Sequence, residues 1–182
     1  MNVQFNPITY DRVERRPVLL FDWGDTLMHD DSTQTGKMCD WPQVNAINHA
    51  VSTLALLANH YFIGIATGAA DSTEHDIYRA LRRVELDAYI STIFCQNNLK
   101  VGKDSNQFFV RILDQLGCQP SHVTMVGDCL ARDVLSAQAA GLNAIWFRNK
   151  RSLACSCEEM PERNLNIATI DCLSELPSRL GF

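Results

Sequence analysis

Val18-Leu19-Leu20-Phe21, followed by Asp22-Trp23-Gly24-Asp25-Thr26-Leu27, is an unbroken apolar run that stops on acidic residues and a glycine. Continuous rather than alternating hydrophobicity predicts a strand covered on both faces, the habit of parallel sheets. Similar runs recur at Tyr61 to Ala66, Ile90 to Cys95, Val123 to Val126 and Ala144 to Phe147. Between them the apolar period becomes helical: Val44, Ile47, Val51 and Leu54 share one stripe, Ile77, Leu81 and Val84 another, and Phe109, Ile112, Leu113 and Leu116 a third. Asp71 with Glu74 has capping-box spacing, and Gly117 and Gly141 stand where helices end on a left-handed residue. Alternating strands and helices predict a three-layer α/β/α fold around a central, mainly parallel sheet of five or six strands, with right-handed crossovers.

Composition narrows the function classes. The 182 residues carry 16 Lys+Arg against 21 Asp+Glu, a net charge of −5, too acidic for a dedicated nucleic-acid binder. With 46% hydrophobic and 20% charged residues, the chain predicts one folded domain over 17–182, preceded by a mixed-charge extension, 1–16. No apolar run approaches the ~18 residues of a membrane span. Seven cysteines at irregular spacings, with no leader before them, predict a reducing, cytoplasmic setting. Cys155 and Cys157 lack the spacing and the further ligands of a zinc site, and the five histidines share no metal-ligand spacing. Gly36-Lys37 and Gly102-Lys103 are followed by Met38 and Asp104, so there is no nucleotide-binding P-loop. Arg148, Lys150 and Arg151 read as a solvated edge.

In open parallel sheets ligands sit beyond the carboxyl ends of the strands. There the chain places Asp22, Trp23, Gly24 and Asp25, then Thr67 and Gly68, then Gly127 and Asp128, with Asp133 five residues on and Lys103 in the connection before a helix. Singly these are ordinary caps and turns. Together they gather carboxylates, one hydroxyl and one ammonium in a single crevice, a set suited to phosphoryl transfer. Clustered carboxylates call for a divalent cation, and Mg2+ prefers oxygen ligands while keeping waters and substrate phosphate in its shell. A carboxylate at a strand tip can attack phosphorus and form an aspartyl phosphate. Lys103, Thr67 and the backbone N–H groups of Trp23, Gly24 and Gly68 can bind the phosphoryl oxygens and offset the charge that spreads over them.

These four segments, in this order, resemble the motifs of the haloacid dehalogenase-like hydrolases, especially the phosphoglycolate-phosphatase-like branch, over residues 17 to about 148. The resemblance implies that Asp22 is the nucleophile and a metal ligand, that Gly24 offers its backbone carbonyl to the metal, that Asp128 is a further ligand, and that Asp133 is a ligand or supports one. It implies that Thr67 binds the phosphoryl group and that Lys103 pairs with phosphate and nucleophile. Phe109 lies six positions after Lys103, the register of the family's helix start, which Lys100 lacks. The implied protein is a Mg2+-dependent phosphohydrolase acting on a phosphorylated small molecule or a phosphorylated macromolecule.

One position departs from that pattern. The family's phosphatases carry a second aspartate two residues after the nucleophile, as general acid and base; here Gly24 stands there, with Asp25 one position later. Three readings follow: Asp25, Asp30, Asp31 or His29 supplies the proton, the substrate has a leaving group that needs little acid, or the chain is a phosphate-binding or interaction protein with weak catalysis. Forty residues between Thr26 and Thr67, and thirty-five between Thr67 and Lys103, leave no room for a full cap domain of roughly fifty residues beside the helices and strands already there. Residues 28–41 are left as a small flap or a solvated loop. Closure of the site then falls to that flap, to a second subunit of a homo-oligomer, or to a bulky substrate.

Overall fold

A computed structural model of the chain describes residues 16–149 and 167–182. Six strands, β1 (Val18–Phe21), β2 (Phe62–Ala66), β3 (Thr92–Phe94), β4 (Val123–Gly127), β5 (Asn143–Phe147) and β6 (Ala168–Ile170), form one sheet in the order β3-β2-β1-β4-β5-β6. Every pairing is parallel. Strand β6 escaped the reading of apolar runs because it is a three-residue edge strand with only Ile170 buried.

Among the described residues six α-helices cover the sheet: α1 (Ala50–Leu57), α2 (Glu74–Arg83), α3 (Gln96–Leu99), α4 (Gln107–Leu116), α5 (Ser136–Ala139) and α6 (Leu176–Arg179). Residue alternation in β1 sorts its side chains between two cores. Leu19 and Phe21 pack with Leu54 and Leu57 of α1, Ile77 and Leu81 of α2 and Leu176 of α6. Val18 and Leu20 pack on the other face with Phe108, Phe109 and Ile112 of α4 and Ala137 of α5. All four β1 residues are fully buried, each contributing about 1.5–3 kcal/mol of hydrophobic stabilisation. That double burial holds the end of β1, and hence Asp22, in a fixed place.

Two local expectations are corrected. The stripe beginning at Val44 predicts a helix from there, but α1 starts at Ala50, after His49 with φ 68°. The reason lies in the backbone: Ile47 N–H donates to Leu27 O at 2.8 Å, and His29 N–H donates to Asn45 O at 3.0 Å. Residues 45–47 are thus tied to the chain after β1, and their groups are lost to a helix, although Val44 and Ile47 still pack on the core. The capping box of α2 is formed by Thr73 and Asp76, not Asp71 and Glu74. Thr73 Oγ1 accepts from Asp76 N–H at 3.3 Å, and Asp76 Oδ2 accepts from Thr73 N–H at 3.0 Å. Gly117 and Gly141 adopt the left-handed conformation expected of them, at φ 62° and 86°.

Within residues 28–41, positions 30–36 are exposed, whereas the stretch that follows is packed. Met38, Cys39 and Trp41 are buried. Arg83 donates to the carbonyls of Cys39 at 3.1 Å, Trp41 at 2.6 Å and Pro42 at 3.1 Å. Lys37 pairs with Asp76 at 2.6 Å and Arg79 with Asp40 at 3.0 Å. The Lys37 ammonium, followed by the Thr73 backbone and hydroxyl, holds the Asp76 carboxyl well below the usual carboxylate range. Residues 37–42 are therefore fastened along one side of α2. No inserted domain interrupts the sheet among the described residues.

Other readings find their places. Arg148 forms a two-pronged ion pair with Asp171, at 2.8 and 3.0 Å. Among the described residues, no disulfide joins Cys39, Cys95, Cys118, Cys129 and Cys172. No described helix is long and apolar enough to cross a membrane. The extension up to residue 15, Lys150, Arg151, Cys155 and Cys157 lie outside the described residues.

Candidate active site

The order of the sheet turns between β1 and β4: the chain first builds outward from β1 to β3, then returns to the other side of β1 and builds outward to β6. Helices on either side diverge at such a point and leave a crevice at the carboxyl ends. Asp22 N–H donates to Val126 O at 2.9 Å, so Asp22 sits one step beyond the β1–β4 ladder. Asp128 directly follows β4. Thr67 directly follows β2, its N–H bonded to Phe94 O at 2.9 Å.

Lys103 is 3% exposed and lies at the centre. Its Nζ is 2.6 Å from Asp22 Oδ1, 2.6 Å from Ala66 O and 2.7 Å from Asp133 Oδ1, which occupies its three donors. Burial pulls the ammonium down, but the Asp133 and Asp22 carboxylates outweigh it and hold it above its ordinary value. Lys100 ends α3 in a left-handed conformation with its side chain exposed, away from this cluster.

Asp133 arrives by an unusual route. Residues Leu130–Leu135 form a π-helical turn, a feature common at functional sites, and it returns Asp133 beneath the end of β4. Its Oδ2 accepts from Cys129 N–H at 2.9 Å while Oδ1 faces Lys103. With both oxygens engaged, Asp133 is better suited to positioning Lys103 than to holding a cation directly. The close approach depends on Gly127, where a Cβ would fall 2.5 Å from both Cβ and Cγ of Asp133. Gly127→Ala is expected to displace Asp133, lower stability by about 2–4 kcal/mol and loosen Lys103. Chemical denaturation would read the loss; a change under about 0.5 kcal/mol would show that the turn accommodates the methyl group.

Asp128 is held by a residue that the motif reading left without a role. The hydroxyl of fully buried Thr26 donates to Asp128 Oδ1 at 3.3 Å and accepts from Asp128 N–H at 3.1 Å, and Trp146 Nε1–H donates to Asp128 O at 2.9 Å. Thr26 lies next to the acidic run in sequence, but its partner is 102 residues away, so no local signal reveals the pairing.

One oxygen from each of Asp22, Asp128 and Asp133 lies within 4.8 Å of the others. Burial pushes the Asp22 carboxyl up to about 7; Lys103 opposes that rise, and Asp133 and Asp128 add to it. An all-oxygen donor set in which Asp128 and Asp133 raise the proton affinity of Asp22 fits a hard divalent cation, which would relieve the repulsion.

The cluster opens into a cavity of about 440 Å³. Asp22, Trp23, Gly24, Asp25, Thr67, Gly68, Lys103 and Asp128 line it, joined by Asp30, Gly36, Met38 and Trp41 from the flap and by Arg132 from the π-helical turn. Arg132 was missed because a lone arginine after a strand carries no pattern. Thr67 Oγ1 accepts from Ala69 N–H at 3.2 Å, leaving its own O–H to donate to a bound anion. The indole of Trp23 is spent on packing: the residue is 4% exposed, and its ring N–H donates to Met28 Sδ at 3.1 Å. At Asp25 the chain turns into the left-handed region, with φ 56°, and its Oδ1 accepts from Asp30 N–H at 3.1 Å. Burial and the charges of Asp25, Asp31 and Asp71 raise the Asp30 carboxyl above its ordinary value.

The chain is similar to several known proteins. A phospholysine phosphohistidine inorganic pyrophosphate phosphatase from Xenopus laevis is 28% identical over 107 residues, 56% of this chain and 37% of its own. A glyceraldehyde 3-phosphate phosphatase from Pyrococcus furiosus is 27% identical over 95 residues, 52% of this chain and 38% of its own. The chain thus spans well under half the length of these two curated relatives. The crystal structure of an uncharacterized protein from Listeria monocytogenes serotype 4b shares the fold, with a TM-score of 0.78 at 23% identity, covering 90% of this chain and 96% of that one. The family model for haloacid dehalogenase-like hydrolases matches residues 26–147, about two thirds of the chain, and with the ordered strand-end residues converging on one crevice, the chain belongs to that family.

Proposed function

We propose that the protein is a Mg2+-dependent phosphomonoester phosphatase that works through a phosphorylated Asp22. The observation that carries this reading is the placement of Lys103, fully enclosed, between Asp22 and Asp133 at the floor of a cavity that Thr67 and Asp128 also line. The two phosphatase-named relatives support the reaction class. The cavity volume suits a phosphorylated small molecule.

Asp22 and Asp128 would hold Mg2+, with Asp133 behind them; the ion would neutralise the carboxylates and polarise a phosphoryl oxygen. Lys103 fixes the Asp22 carboxylate through Oδ1, so that the nucleophile meets phosphorus without reorganising. The Thr67 hydroxyl and the N–H groups around Trp23, Gly24 and Gly68 receive the equatorial oxygens as charge spreads over them. Thr26 keeps Asp128 from turning away. Met38 and Trp41 of the flap line the cavity and would limit water there.

The test uses the unmodified protein. Phosphate release from p-nitrophenyl phosphate and from a panel of small sugar phosphates should require Mg2+ and stop with EDTA. Beryllofluoride with Mg2+ should form a stoichiometric adduct that blocks turnover. Phosphate binding with no release from any ester, and no adduct, would instead identify a binding protein.

A further inference from the structure

Resting on the reading of a phosphatase, we propose that Asp30, reaching in from the flap, is the catalytic acid and base that position 24 does not carry. A Cβ built at Gly24 would lie 3.1 Å from Asp30 Oδ2, 3.3 Å from Asp30 Cβ and 3.5 Å from Asp30 Cγ. The Asp30 carboxylate therefore occupies the volume into which a side chain at position 24 would project, and it lines the same cavity as Asp22. Glycine at position 24 and aspartate at position 30 are complementary: the absence of one side chain makes room for the other.

Of the competing residues, Asp25 lines the same cavity but is committed within its own loop, and Asp31 and His29 do not line it. Asp25 lies in the left-handed region, and its carboxylate receives the N–H of Asp30, which makes it a positioning residue for Asp30. The backbone of Asp25 is clamped in turn, its N–H to Met28 O at 2.6 Å and its carbonyl to Asn149 Nδ2 at 2.8 Å. Asp31 is consumed within the flap, accepting from Thr33 N–H at 3.0 Å, Thr33 Oγ1 at 2.6 Å and Gln34 Nε2 at 3.3 Å. His29 faces neighbouring hollows rather than the cavity of Asp22. On either side of Asp30 the chain is anchored, by His29 N–H on Asn45 O at 3.0 Å and by Lys37 on Asp76 at 2.6 Å. Anchors at both ends fix the path of the chain that carries Asp30.

In the first step an Asp22 oxygen forms a bond to phosphorus while the bond to the leaving oxygen breaks. That oxygen keeps the electron pair and takes a proton from Asp30. In the second step water attacks the phosphorus of phospho-Asp22 and gives a proton back to Asp30, releasing inorganic phosphate and the Asp22 carboxylate. The sum is one ester and one water converted to one alcohol and one phosphate.

The experiment follows Asp30→Asn under single-turnover conditions with Mg2+. Formation of phospho-Asp22 from an alkyl phosphate should fall by about 10²- to 10⁴-fold, whereas formation from p-nitrophenyl phosphate, with its good leaving group, should fall by less than about tenfold. Phospho-Asp22 should then accumulate, because hydrolysis lacks its base. Equal losses on both esters, or none on either, would overturn the role of Asp30 while leaving the phosphatase standing. A wild-type protein inactive on both esters would overturn both readings. A second measurement needs neither metal nor turnover: Gly24→Asp should lower the melting temperature, and adding Asp30→Gly should restore most of it. Additive effects of the two changes would show that the side chains do not share the space, which would also sink the proposal.

Discussion

Asp22→Asn is expected to abolish Mg2+-dependent phosphate release, by on the order of 10⁴-fold or more, because a neutral amide is a far weaker nucleophile than the carboxylate it replaces. The same change should not destabilise the metal-free fold. Burial drives the Asp22 carboxyl up to about 7, so the folded state favours its neutral form, and the charged form costs stability at any pH above the unfolded carboxyl's ordinary value. An amide removes that cost and still accepts from Lys103, which keeps Asp133 and Ala66 O as its other partners. Melting in EDTA should therefore give a midpoint for Asp22→Asn equal to or above that of wild type, and Mg2+ should raise the wild-type midpoint more than the variant's. A variant that loses stability in EDTA would mean that Asp22 serves the fold and not the chemistry; one that keeps turnover would remove it as nucleophile.

Lys103→Met is expected to be costly to both fold and activity. Methionine replaces the stem, but the ammonium disappears from between Asp22 and Asp133, leaving two carboxylates facing each other at 13% and 2% side-chain exposure. Breaking a buried ion pair by removing one partner typically costs about 3–5 kcal/mol. For a chain of this size that corresponds to a fall of roughly 10 °C in melting temperature. Activity should also fall below detection, since the phosphoryl oxygens lose a cation and Asp22 loses its orientation. Adding Asp133→Asn should recover part of the stability and none of the turnover, because it removes one unpaired charge without restoring the ammonium. A loss below about 1 kcal/mol for Lys103→Met would show that water reaches this cluster and screens it.

The strand ends were legible because each candidate residue follows an apolar run that can only be a buried strand, and parallel topology brings all such ends to one edge. That reasoning placed Asp22, Thr67 and Asp128 along one edge, and the register implied by the family resemblance favoured Lys103 over Lys100. The flap was not legible. Its anchors are Arg83, Asp76 and Arg79 on α2, some forty residues further along the chain, and no short-range spacing encodes a contact at that separation. For the same reason the helix stripe through Val44 and Ile47 located their burial correctly and their backbone wrongly: periodicity reports which side chains turn inward, while pairing with residues 27–29 decided the conformation.

By itself, the order of residues determined the layered parallel fold and the edge at which its strand-end residues gather, since these follow from local periodicity and from the geometry shared by all parallel sheets; that Gly24 stands where an aspartate is expected came only from the family resemblance. Only the tertiary structure decided that Asp133 supports Lys103 through a π-helical turn, that Thr26 holds Asp128, and that Asp30 fills the space beside Gly24. Those are matters of which distant atoms share a few ångströms of volume, set by packing of the whole chain and carried by no local pattern.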